Sequence, residues 1–114
     1  MNPLSGDMLR GHLEGLVLAT LEAGEAHGYE VMQRLNAEAR GVFHMREGAL
    51  YPVLYRLEQK GMLATRWEKD DAPRKGPKRR LYRLTAKGTR DLAARRTQWK
   101  LFVSTVGPML EGAT

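Results

Sequence analysis

The chain has 114 residues, enough for one domain with a real core and too few for two comfortable ones. It is 42% hydrophobic and 28% charged, and its lack of cysteine excludes disulfides, thiolate metal sites and a cysteine nucleophile. The net charge of +6 is placed unevenly: residues 1–70 hold 8 Lys/Arg against 10 Asp/Glu, and residues 71–114 hold 11 against 3.

A one-sided excess of this kind suits a polyanionic partner, with nucleic acid first and a basic solubilising surface as the plainer alternative. The longest apolar run, residues 16–19 with an extension through Thr20 to Leu21, falls far short of a membrane span. A lone cation, Arg10, precedes that run, and Asp7, Glu14 and Glu22 surround it, so no signal peptide is expected. These features, with the missing cysteine, point to a cytoplasmic protein with no membrane partner.

In chain order, Leu9, Leu13, Leu16, Val17 and Leu21 recur at helical spacing and predict an amphipathic helix over residues 7–23, ended by Gly24. HGYEVMQRLNAEA supplies a second helix with Val31, Met32 and Leu35 on one face and Gly41 as its stop. VFHM then offers a few extended residues. In REGALYPVLYRLEQKG a third helix starts near residues 48–50, which places Pro52 in its first turn, where a missing N–H has no partner. Leu50, Val53, Leu54 and Leu57 form its buried stripe. Tyr55, although off that stripe, is read as completing the core.

MLATRWE alternates as a strand, with Leu63, Thr65 and Trp67 on one side. KDDAPRKGP is a loop of turn formers, and KRRLYRL returns as a second strand with Tyr82 and Leu84 on one face. Thr85 is the expected N-cap of a last helix running from Ala86 to about Leu110, with Gly107 and Pro108 ending or kinking it. The class is therefore α+β, mostly α: a winged helix-turn-helix of three helices and a two-stranded wing over residues 1–85. A C-terminal dimerisation helix and short tail, residues 86–114, belong to the same structural unit.

At GALYPVLYRLEQKGML the chain resembles the PadR family of bacterial transcriptional regulators. HGYEVMQRL resembles that family's Gly-Tyr-Glu second helix, RWE the end of its first wing strand, and GPKRRLYRLTAKG its second wing strand and the entry to its last helix. Ala49 departs from the family's threonine or serine in the Gly-(Thr/Ser)-Leu-Tyr-Pro motif and removes a hydroxyl able to cap the helix or meet a phosphate. The single C-terminal helix is similar to that of the family's compact members. The resemblance implies a dimeric, DNA-binding regulator, with repression as the family habit.

The residues support a DNA contact without the name. In helix-turn-helix proteins the N-terminal end of the recognition helix approaches the bases in the major groove. Here that end carries Arg46, Gly48, Ala49, Tyr51 and Pro52, with Tyr51 placed to bond phosphate or to pack on a thymine methyl. Tyr29 is a further candidate phosphate contact, with a core role equally open. Arg74, Lys75, Lys78, Arg79 and Arg80 surround the Gly76 and Pro77 turn and would follow the DNA backbone or a narrow minor groove, with Lys78 and Arg79 mattering most.

In the last helix Leu92, Trp99 and Val106 fall seven apart, and Phe102 and Val103 fill the adjoining stripe. This face, with Leu9 and Leu13 of the first helix, is the expected seam of a homodimer on double-stranded DNA. Trp99 also stands where compact relatives hold planar aromatic compounds, so a small hydrophobic aromatic effector is a second expected partner. No cofactor is expected. His12, His27 and His44 are scattered without ligand spacing, so neither a metal site nor a catalytic one is read, and the chain is not expected to be an enzyme. The rival reading is a non-specific nucleic-acid-binding or architectural protein.

Overall fold

The structure is a computed structural model that describes residues 4–69 and 76–112. Its helices are α1 (Gly6–Leu9), α2 (Leu13–Thr20), α3 (Gly28–Ala39), α4 (Glu47–Gln59) and α5 (Ala86–Glu111), and its strands are β1 (Ala26–His27), β2 (Leu63–Trp67) and β3 (Arg80–Leu84). The strands form an antiparallel sheet in the order β1-β3-β2. This is the winged helix-turn-helix expected from the sequence, with α5 extending from it.

The expected continuous first helix is instead broken. A 3₁₀ turn over Arg10–His12 separates α1 from α2, and a second one over Leu21–Ala23 follows α2. Gly11 sits inside the first break, and a glycine there weakens a helix that little else holds in place. Gly24, at φ 129°, then turns the chain into β1. That two-residue strand is absent from the sequence reading because its signal is too short to show periodicity. It exists because β3 offers it a partner, with Ala26 opposite Tyr82 and His27 opposite Leu81.

No strand forms at VFHM. The Asn36 side chain takes the place of a strand there: its amide donates to the Met45 carbonyl at 3.0 Å, and its oxygen accepts from the Met45 N–H at 2.6 Å. This pair holds Met45 in the core just before α4 begins. Because α4 starts at Glu47, with Arg46 as its N-cap, Pro52 lies in the second turn and not in the first. It therefore removes the N–H that would bond the carbonyl of Gly48, which is an exposed residue. The buried stripe of α4 is as expected: Leu50, Val53, Leu54 and Leu57 are all within the core.

That core joins Val17, Leu18 and Leu21 to Val31 and Leu35, to the α4 stripe, and to Leu63 and Tyr82 of the sheet. Leu92 of α5 closes it at 3% exposure, so this expected seam residue packs within its own chain. The Thr85 hydroxyl caps α5 by accepting from the Gly88 N–H at 3.0 Å. Pro108 does not end the helix, which runs on to Glu111, since a proline near a helix terminus disturbs few intrahelical bonds. Glu14 of α2 is partly buried, which raises its pKa, but Lys60 at 2.8 Å and Arg95 at 3.4 Å outweigh this and hold the carboxyl below its usual range. This pairing ties α2 to the end of α4 and to α5.

The tightest approach is at Gly88. A Cβ there would lie 2.1 Å from the Met62 carbonyl oxygen, a backbone atom that cannot swing aside. Gly88→Ala is expected to destabilise the fold by about 1–3 kcal/mol, the usual cost of overpacking. Urea unfolding of both forms is the check, and an unchanged midpoint contradicts the packing.

Candidate nucleic-acid interface

The N-terminal ends of α3 and α4 meet at one side of the sheet because Gly28 leaves room for Tyr51. A Cβ on Gly28 would stand 2.7 Å from the Tyr51 ring and hydroxyl. Around this contact lies a cleft of about 220 Å³ lined by His27, Gly28, Tyr29, Tyr51, Arg79, Arg80 and Tyr82. Four residues singled out from the sequence, Tyr29, Tyr51, Arg79 and Arg80, are thus gathered from three separate elements. Burial raises the pKa of the Tyr82 phenol on the cleft's inner side.

His27 is the residue that sequence reasoning missed. Its Nδ1 accepts from the Glu30 N–H at 3.1 Å and so caps α3, and its Nε2 lies 2.7 Å from Arg79 Nη1. Serine, threonine, aspartate and asparagine are the usual cap residues, so a histidine before GYE carried no such signal. The arrangement places the Arg79 guanidinium over the positive end of the α3 dipole, beside two exposed tyrosines, Tyr29 and Tyr51.

Arg80 is directed differently. It pairs with Glu58 of α4 at 2.7 Å and lies 6.0 Å from the centre of the Trp67 ring. Glu58 Oε2 also accepts from the Thr65 hydroxyl at 3.2 Å, so one carboxylate holds both strands of the wing to α4. Lys78 is exposed at the base of β3. Arg74 and Lys75 lie outside the described residues.

At the start of α4, Arg46, Gly48, Ala49 and Pro52 are all exposed, and space around Gly48 is open. Tyr55 is exposed to 63% and does not complete the core. The physical reason is helical spacing, since it lies on the side of α4 opposite Leu54 and Leu57. The signal was present in the sequence as its distance from the buried stripe.

The other face of interest lies along α5. Trp99 packs edge-on to His12 with ring centres 5.3 Å apart, and stacks on Phe102 at 5.9 Å. Leu4, Met8, Leu9, Leu16, Trp99 and Phe102 are among the residues lining an open apolar groove of about 670 Å³ between α1, α2 and α5. Phe102 and Val103 are exposed, Val106 is half-buried, and Leu13 packs against the core. Among the described residues no cluster of histidine and carboxylate side chains could hold a metal, and no helix is long and apolar enough to cross a membrane.

Comparison with known proteins agrees with this architecture. The transcriptional regulator PadR-like family model matches residues 17–94. A PadR family transcriptional regulator from Eggerthella lenta is 32% identical, superposes with a TM-score of 0.79, and is aligned over 94% of this chain and 88% of its own. A PadR-like transcriptional regulator from Bacillus cereus is also 32% identical, with a TM-score of 0.77 and coverage of 94% and 99%. An uncharacterized protein from Lysinibacillus sphaericus is 29% identical over 107 residues, covering 93% of this chain and 94% of the relative. With the family model matched over residues 17–94 and the winged helix-turn-helix shared with these structures, the chain belongs to the PadR-like family of transcriptional regulators.

Proposed function

We propose that this chain is a sequence-specific DNA-binding regulator that acts as a homodimeric repressor on a pseudo-palindromic operator. The observation that carries the reading is the convergence of Tyr29, Tyr51 and Arg79 in one cleft beside the exposed end of α4. In the major groove, α4 would lead with its cap residue Arg46 and with Gly48 and Ala49, and the small side chains of the last two would let the backbone approach closely. The two tyrosine hydroxyls and the Arg79 guanidinium would then face adjacent phosphates. Lys78, Arg79 and, beyond the described residues, Arg74 and Lys75 would carry the wing along the backbone. Arg80 would act indirectly, holding the wing in place through Glu58.

The dimer would form along α5. Trp99 is 51% exposed and Phe102 54%, an apolar stripe that a second copy would cover together with Leu9 and the groove beside it. Two recognition helices would then address half-sites roughly 34–36 Å apart. A flat aromatic effector seated beside Trp99 would bind at that seam and relieve repression by altering the spacing.

The direct test is fluorescence-anisotropy binding to the duplex upstream of the protein's own gene, against excess scrambled competitor at several salt concentrations. Binding that survives competition supports a regulator, and equal binding to both duplexes favours an architectural protein. Replacing both Lys78 and Arg79 with alanine is expected to flatten the plot of log affinity against log salt by about 0.9 per lost phosphate contact. An unchanged slope contradicts the wing contacts.

Gly28→Ala tests the cleft. The added methyl meets the mobile end of the Tyr51 ring, so thermal stability should hold while the hydroxyl moves. DNA affinity is expected to fall about tenfold, as it should for Tyr51→Phe, which deletes the same hydrogen bond to a charged group. Full affinity in both variants removes Tyr51 from the contact.

Sedimentation should give a dimer mass. A flat aromatic dye should then quench tryptophan fluorescence saturably in the native chain and not in Trp99→Ala. A monomeric mass rules out the dimer, and quenching that persists in the variant rules out the effector site.

A further inference from the structure

Along α4, Gly48, Pro52, Tyr55 and Gln59 are spaced by four, three and four residues, which places them on one ridge of the helix. All four are exposed, and the ridge runs opposite the buried Leu50, Val53, Leu54 and Leu57. Its first two members have little side chain, so nothing at that end holds α4 away from a surface it enters. Tyr55 is the first large side chain on the ridge and is 63% exposed. Among the described residues, no hydrogen bond or ion pair engages the side chains of Tyr55, Arg56 or Gln59. Arg80, the wing arginine that reaches α4, is committed to Glu58 at 2.7 Å.

An uncommitted aromatic ring at the centre of a helix's outer face is costly to leave in water and adds nothing to this core. In the major groove one base feature is apolar, the C5 methyl of thymine. Tyr51 is less well placed to meet it, because its ring is turned back against Gly28 in the cleft.

We infer that Tyr55 is a specificity-determining residue that reads a thymine in each half-site by packing its ring on the C5 methyl. The inference rests on the proposed DNA-binding function and deepens it. Gln59, one turn further along, follows Tyr55 into the groove and is placed to bond the edge of a neighbouring base. The methyl contact uses the ring and not the hydroxyl, so phenylalanine should preserve it and alanine should abolish it.

The test begins by selecting binding sites from a random duplex library with the full-length native chain, Tyr55→Phe and Tyr55→Ala. Each thymine of the selected half-site is then replaced singly by deoxyuridine, which removes the methyl and leaves the pairing intact. For the native chain and Tyr55→Phe, one replacement is expected to weaken binding about fourfold, the worth of one buried carbon. Tyr55→Ala should bind the parent duplex weakly and lose its discrimination between thymine and uracil at that position. Matching thermal unfolding of the three proteins excludes a folding defect. If Tyr55→Ala selects the same sites with the same uracil penalty, the inference is overturned and the regulator reading stands. If the native chain enriches no sequence at all, both are overturned.

Discussion

The turn at the end of α4 is where the recognition helix, the wing and the C-terminal helix are joined. The Met62 N–H donates to the Leu57 carbonyl at 2.9 Å, and the Met62 carbonyl accepts from the Thr85 N–H at 3.1 Å. The Thr85 hydroxyl donates to the Gly61 carbonyl at 2.7 Å, and Lys87 Nζ reaches the Lys60 carbonyl at 2.7 Å. These bonds satisfy carbonyls that a helix end otherwise leaves to solvent. They also require Gly88 to lie almost on the Met62 carbonyl, a separation that only a residue without a side chain permits. The start of α5 is therefore seated on the end of α4.

Geometry at the opposite end of α4 depends on a second close approach, that of Tyr51 to Gly28. It brings the start of α3 and the Tyr51 ring of α4 to one cleft surface, which Arg79 also lines. His27 links this surface to the sheet, because it is at once a residue of β1, the cap of α3 and the neighbour of Arg79. The wing is held from the other side by Glu58, which engages Arg80 and Thr65. Charge on this molecule is thus divided between cations that fasten elements together and cations left facing outward. Net charge alone does not make that division.

The helical order, the buried stripe of α4, the two long strands and the Thr85 cap were all legible in the sequence, because each is a local pattern. Periodicity of apolar residues and a threonine before a helix act over a few residues and need no distant partner. The tyrosines, glycines and wing cations of the candidate interface were legible for the same reason, as residue types clustered at turns and helix starts. The basic second half of the chain, at 11 Lys/Arg against 3 Asp/Glu, also pointed to a polyanion without any coordinates.

Tertiary structure decided what depends on contacts between distant residues. The strand at Ala26–His27 forms only because β3 lies beside it, and Asn36 takes the place of a strand at Met45 because its side chain reaches across nine residues. Leu92, expected at the dimer seam, is buried in the core, whereas Tyr55, expected in the core, is exposed. Spacing along a helix assigns residues to faces, but which face meets the rest of the chain is set by how that helix packs. The sequence by itself determined the elements and the chemistry available at their ends. The packing of α4 and α5 around residues 60–62 determined which side chains turn toward the core and which remain free for a partner.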